Sequence, residues 1–204
     1  MFALVESGSI TQMPRGNKGI QIGDVKYPAA IYTLWSEAER NAIGIYTVEI
    51  DNTNKKDEEW YINTNQTYTF SGGKVKGTYG SATAKAIADS TWTSQDKTDG
   101  LIPNGEDVGD LKQEGLKTIK KRIVKQQAAG ILADTDWYIT RKADAGTAVP
   151  SAVTTHRAAV RTKSGEMETA INNAADVDAL AALYVYNDAN PPVRPLGELP
   201  RLES

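Results

Sequence analysis

Strand signals crowd the first 80 residues and helix signals dominate after residue 104, so the sequence predicts an α+β protein with segregated halves. The expected architecture is a small N-terminal antiparallel β domain with hairpins. A C-terminal helical domain follows, with one long amphipathic helix and a short helical bundle. Three observations carry this. Short alternating apolar segments are bounded by Gly/Ser turns; an apolar spacing of three or four begins at Asp107; and Ala, Thr, Ser, Asp and Gly dominate the stretch between. The expected divisions are a β-rich domain over 1–80, a linker or short helix over 81–104, a helical domain over 105–186, and an extended Pro-rich tail over 187–204.

In chain order, Phe2–Glu6 and Ile10–Met13 flank Ser7-Gly8-Ser9 and read as a hairpin. Ile20–Ile22 is a further short strand. Ser36 and Glu39 have capping-box spacing, which predicts a helix over 36–42 ending near Gly44. Ile45–Ile50 alternates apolar and polar residues, as a strand with one buried face does. Thr67–Phe70 and Lys74–Tyr79 flank Ser71-Gly72-Gly73 and form the clearest hairpin signal in the chain. Ala82–Ala88 is expected as a short helix and Thr91–Asn104 as a linker, with a boundary near residue 100.

In the second half, Val108, Leu111, Gly115, Ile119, Ile123, Gln127 and Ile131 recur in steps of three or four, with Leu116 and Val124 widening the stripe, predicting one helix over about 107–133. Helices are expected next over 151–163 and 166–174, separated at Gly165. Asp176 caps a last short helix reaching about Tyr184. Between Asn190 and Pro200 lie Pro191, Pro192, Pro195 and Pro200, which preclude a helix. The apolar Val193, Leu196 and Leu199 in this segment imply docking, either on the chain's own β region or on a neighbouring subunit.

Composition removes several function classes. The 23 Lys+Arg against 26 Asp+Glu give a net charge of −3, without the basic excess of counterion-driven nucleic-acid binding. No Cys and one His rule out thiolate nucleophiles, disulfides and Cys/His zinc sites. No apolar run reaches membrane-span length, and Glu6 comes too early for a signal-peptide core. The expectation is a soluble protein made in the cytoplasm, with no membrane or nucleic-acid partner, no cofactor and no metal.

Residues of catalytic type lack supporting neighbours. His156 has no nucleophile or orienting acid nearby in sequence and reads as a surface or packing histidine. Asp57-Glu58-Glu59 reads as a charged loop; a carboxylate-dependent enzyme acting on a polysaccharide is the alternative it leaves. Lys112, Lys117, Lys120, Lys121, Arg122 and Lys125 read as the solvated face of the long helix. Gly16-Asn-Lys-Gly19 and Gly72-Gly73-Lys74 read as turns. The four Trp and nine Tyr against two Phe favour element edges or an interface, which sequence alone does not separate.

One segment carries a family pattern. Ile131-Leu-Ala-Asp-Thr-Asp-Trp137 closes the long helix, and His156-Arg-Ala-Ala-Val-Arg161 lies on the next. This resembles the C-terminal module of tail-fibre assembly and tail-associated proteins of tailed bacteriophages. There a helix ends in Leu-Leu-Ala-x-x-Asp-Trp and a Tyr-Arg-x-x-Leu-Arg helix follows. Leu132, Asp136, Trp137, Arg157 and Arg161 match that pattern, while His156 stands where the tyrosine is usual and the connector is longer. The Leu34-Trp-Ser-x-x-Glu39 helix before Ile43-Gly44 is similar, more loosely, to virion-associated proteins of marine phages. The resemblance implies a structural virion protein of the tail, acting without catalysis through contacts with other tail or tail-fibre proteins. The implied assembly is a homo-oligomer or a symmetric ring attachment; a transient assembly chaperone is the variant. Within the motif, Asp136 is expected to accept from Arg157 or Arg161. Trp137 is expected to be buried between the two helices.

Overall fold

The computed structural model describes residues 1–64 and 66–202. The last two residues of the predicted tail lie outside the described residues. The chain divides into two compact units, Met1–Thr83 and Ala84–Ser204. The α+β class holds, with strands concentrated in the first unit and helices in the second.

The first unit opens with β1 (Phe2–Glu6) and β2 (Ser9–Gln12), paired antiparallel around Ser7 and Gly8. Both turn residues have positive φ, 50° and 79°, as a two-residue hairpin of this hand requires. A second hairpin joins β3 (Ile20–Ile22) to β4 (Val25–Tyr27). β4 is not legible in the sequence, because its three residues are too few to show a period. After α1 (Ile31–Leu34) comes α2 (Glu37–Ala42), with the anticipated capping box. The Ser36 amide donates to Glu39 Oε2 at 2.7 Å and the Glu39 amide donates to Ser36 Oγ at 3.3 Å. β5 (Ile45–Asp51), β6 (Tyr61–Ile62), β7 (Thr67–Ser71) and β8 (Lys74–Thr78) complete the unit.

The main sheet runs β2-β1-β5-β8-β7. It is not wholly antiparallel as expected: β5 and β8 pair in parallel, with Val48 opposite Val75. The connection between them contains β6 and β7 and is long enough to return the chain in the same direction. Successive side chains on β1 bury on opposite faces. Leu4 joins Ile20, Ile31, Tyr32 and Ile45 in one cluster; Ala3 joins Val48 and Val75 in the other.

The two-residue β9 (Thr83–Ala84) spans the division. The second unit then differs from expectation. The 82–88 stretch is not a helix, and 91–104 is not a free linker. β10 (Ser90–Thr91) pairs antiparallel with β11 (Leu111–Gln113), and α3 (Ser94–Thr98) lies between them. The overlooked signal is a second capping box, Thr93 with Asp96.

The long helix α4 spans Leu116–Ala133, starting nine residues later than the 107 expected from its periodicity. Gly115 explains the start. Its amide donates to Asp89 Oδ1 at 2.7 Å, and a Cβ there would lie 2.3 Å from the Ala88 carbonyl carbon. The amides of Leu116 and Lys117 donate to the carbonyls of Ala86 and Ile87, so the 86–89 segment satisfies donors that a helix start leaves unpaired. The buried face is Leu116, Lys120, Val124 and Ala128, so the two residues expected to widen the stripe, Leu116 and Val124, lie at its centre; Ile123 is exposed.

α5 (Asp136–Ala145) occupies what the sequence reading treated as a connector. α6 (Ser151–Asn173) is one continuous helix, and Gly165 does not divide it. Once the flanking turns are packed, one helical glycine costs about 1 kcal/mol, too little to break the helix. Asp176 caps α7 (Val177–Ala182) through the Ala179 amide at 2.8 Å. Lys117 bonds the Asn172 carbonyl, Lys125 pairs with Glu168, and Arg157 reaches the Leu132 carbonyl. These pairings run in opposite senses along the two helices, so α4 and α6 are antiparallel. Val124, Ala128, Val153, Val160, Met167, Ile171 and Leu180 supply buried apolar side chains to this unit.

Candidate functional site

The motif residues gather where α4 ends and α5 begins. α4 stops at Ala133, and the Thr135 amide and hydroxyl both donate back to the Leu132 carbonyl, at 3.1 and 3.0 Å. Arg157 of α6, only 7% exposed, enters this turn. Its Nη1 donates to the Leu132 carbonyl at 2.7 Å and to Thr135 Oγ1 at 2.6 Å, and its Nη2 meets Asp136 Oδ1 at 2.8 Å. A buried guanidinium needs such acceptors, because an unpaired buried cation is costly. The planar fork of Arg serves acceptors on two sides at once.

Arg161 does not join this group. It is exposed, and its Nη1 reaches back to the Arg157 carbonyl at 3.5 Å. Trp137 is not buried between the helices, contrary to expectation: it is 51% exposed. The reason is geometric. Asp136 begins a new helix rather than closing the old one, and its carboxylate faces Arg157. The next residue on a helix is turned about 100° away, so Trp137 points elsewhere. Its ring stacks on Tyr138 at 3.8 Å, and the Arg141 guanidinium lies 4.6 Å from its centre. Ile139, beside them in sequence, is 44% exposed. Thr135, 3% exposed, fills part of the space at the turn, and the sequence reading missed it. Arg141 was missed too, although Trp137 and Arg141 stand four apart, the spacing that places side chains together on a helix.

The tail residues lie against their own helical unit, a surface the sequence did not offer for them. The Leu196 amide donates to the Leu183 carbonyl at 3.0 Å, and its side chain is 2% exposed. Leu199 is half-buried and lines a cleft with Ile131 and Met167. Val193 is exposed, but its backbone closes a turn with Asn187. Arg194, unremarked in the sequence, holds the tail in shape. It pairs with Glu198 at 2.8 Å and faces the rings of Tyr184 and Tyr186.

Other candidates take local roles. Glu58 pairs with Lys55 at 2.9 Å, and Asp57 Oδ1 accepts from the Glu59 amide at 2.9 Å. Lys112 lies on β11, not on the long helix, and pairs with Asp96 at 2.5 Å. That contact, with the Thr93 hydroxyl and amide, holds the Asp96 carboxyl down at about 2. Lys120 is buried with its ammonium over the Tyr184 ring, while Arg122 pairs with Glu114. His156 is buried beside Arg157. Of the other tryptophans, Trp60 is buried and Trp92 lies under the Lys112 ammonium. Among the described residues no three His, Asp or Glu side chains converge as a metal site. Among them no helix is long and apolar enough to cross a membrane.

No family model matches the chain, and no curated protein or solved structure matches it either.

Proposed function

We propose that this chain is a bacteriophage tail-associated structural protein, acting by protein–protein contact in tail or tail-fibre assembly or attachment. The observation that supports it is how the motif divides its labour. Its polar members, Asp136 and Arg157, are used internally to brace α4, α5 and α6. Its aromatic member, Trp137, is half-exposed, with the partly buried Tyr138 and Arg141 packed on its ring. Exposed aromatic and Arg side chains are the residue types that anchor protein interfaces. The turn carboxylates Asp57 and Glu58 are engaged locally and do not face each other across a cleft, which favours contact over catalysis.

The partners under this reading are other tail or tail-fibre proteins, met by a homo-oligomer or in a symmetric ring, three-fold where a fibre is served. Quantitative mass spectrometry of purified particles of the phage encoding the chain tests it. Presence at a fixed copy number relative to a tail protein supports a structural part. Absence from complete particles, with fibres failing to assemble when the gene is deleted, converts the reading to an assembly chaperone. Absence with normal tails and fibres in the deletion overturns both.

A further inference from the structure

The first unit holds a feature that the tail reading does not use. The loop over 14–19 and the β3–β4 hairpin border a depression of about 510 Å³. Gln12, Arg15, Asn17, Lys18, Gly19 and Gln21 line it, and no carboxylate does. Arg15 and Lys18 are exposed, and neither has an ion pair or hydrogen bond among the described residues. Lys26, opposite Gln21 in the hairpin register, has none either. Elsewhere in the same unit Lys55, Lys74 and Lys76 are matched to Glu58, Glu49 and Asp51 at 2.9–3.1 Å. A chain with more acids than bases therefore leaves three cations unmatched in one place. Asp24 lies in the hairpin's turn, beyond Ile22, and does not line the depression.

The loop is also held in shape. The Phe2 amide donates to the Pro14 carbonyl at 3.3 Å. Gly16 has φ +80°, and a Cβ there would lie 3.0 Å from the Phe2 ring. A Cβ at Gly19 would come within 2.5 Å of the Tyr27 carbonyl oxygen. The loop is thus pinned to β1 near one end and to β4 at the other, with both glycines required. A site whose backbone is already set loses less freedom when a ligand arrives.

We propose that this depression is an anion site that takes a phosphate-class group. Arg15 offers a planar fork matched to two oxygens, and Lys18 a compact charge. The carboxamides of Asn17 and Gln12 add neutral donors, while that of Gln21 is engaged with the Gly23 carbonyl at 3.1 Å. Donors carried on β2 and on the 14–19 loop around one depression suit a tetrahedral anion with many acceptor oxygens better than a flat carboxylate. The group reaches the site either as the free ion or as part of a polymer.

The test is a ¹⁵N–¹H NMR titration of the full chain with inorganic phosphate, at constant ionic strength, beside a sodium chloride control. The expected result is saturable shifts confined to amides over 15–21 and to Lys26, with a Kd of about 1–10 mM. The double substitution R15Q/K18Q weakens binding ~10-fold or more, the scale of one lost charged contact. K74Q, which removes a cation matched to Glu49, leaves it unchanged. A linear polyphosphate binding the same residues far more tightly per phosphate identifies a polymer as the source; equal affinity identifies the free ion. Equal shifts in chloride, no saturation, or unchanged binding by R15Q/K18Q overturns the site.

Discussion

The Arg157 guanidinium, buried in α6, meets the carboxylate of Asp136, the first residue of α5, at 2.8 Å. Through the same side chain it also holds the last turn of α4. Three helices therefore depend on one cation. Replacing Arg157 with Met keeps volume but leaves the Asp136 carboxylate without its cation and takes one donor each from the Thr135 hydroxyl and the Leu132 carbonyl. The expected cost is about 1–3 kcal/mol in urea unfolding. Arg161→Met is expected to stay within about 0.5 kcal/mol, because Arg161 is exposed and outside the brace. Equal effects at both positions would remove Arg157 from its bracing role.

Trp137 makes the opposite prediction. A tryptophan packed between helices costs about 3–5 kcal/mol on truncation to Ala. A half-exposed ring stacked on its neighbours is worth much less, about 1 kcal/mol. Thermal unfolding of Trp137→Ala should show a small shift in Tm. A loss of several kcal/mol would mean that the indole is buried in solution.

The tail should contribute to the stability of the helical unit. Leu196 is enclosed and Val193 is not, although both lie in the same Pro-rich stretch. Leu196→Ala is expected to cost about 2–4 kcal/mol, and Val193→Ala less than about 0.5 kcal/mol. Chemical denaturation of the two variants decides this. Equal, negligible losses would show a passive end.

Asp96 gives a pH signature. Lys112 and Thr93 hold its carboxyl at about 2 in the folded chain, against an ordinary 3.8. The unfolded chain therefore takes up this proton first as pH falls. The stabilisation is complete above about pH 4 and is lost as pH drops through about 2. In Asp96→Asn, the part of the acid dependence between pH 4 and 2 that this group supplies should vanish. An unchanged acid profile would contradict the Lys112 contact.

Much of the first unit was legible because its signals are local. The Ser36–Glu39 box, the Gly72-Gly73 turn and the alternation of Ile45–Ile50 each act within a few residues. The parallel pairing of β5 with β8 was not legible, since no short window records strand order. In the helical unit the apolar spacing from Val108 continued through residues that the structure uses as β11. What stops α4 from extending backward is the contact of Gly115 with the Ala88 carbonyl, a long-range event. For the candidate site, the motif narrowed the partner of Asp136 to Arg157 or Arg161, and packing selects Arg157. The exposure of Trp137 could not, because it depends on Asp136 opening a new helix.

The most direct measurement is incorporation of variant chains into particles. Purified phage carrying Trp137→Ala/Arg141→Ala is compared with wild type by quantitative mass spectrometry, after circular dichroism shows that the isolated variant keeps its fold. If the chain is a tail component held through its exposed aromatic face, its copy number per particle falls by about tenfold or more, the scale of losing one interface anchor. Wild-type incorporation of a folded double variant would contradict contact through this face. A wild-type chain missing from the particles as well would contradict the structural role itself.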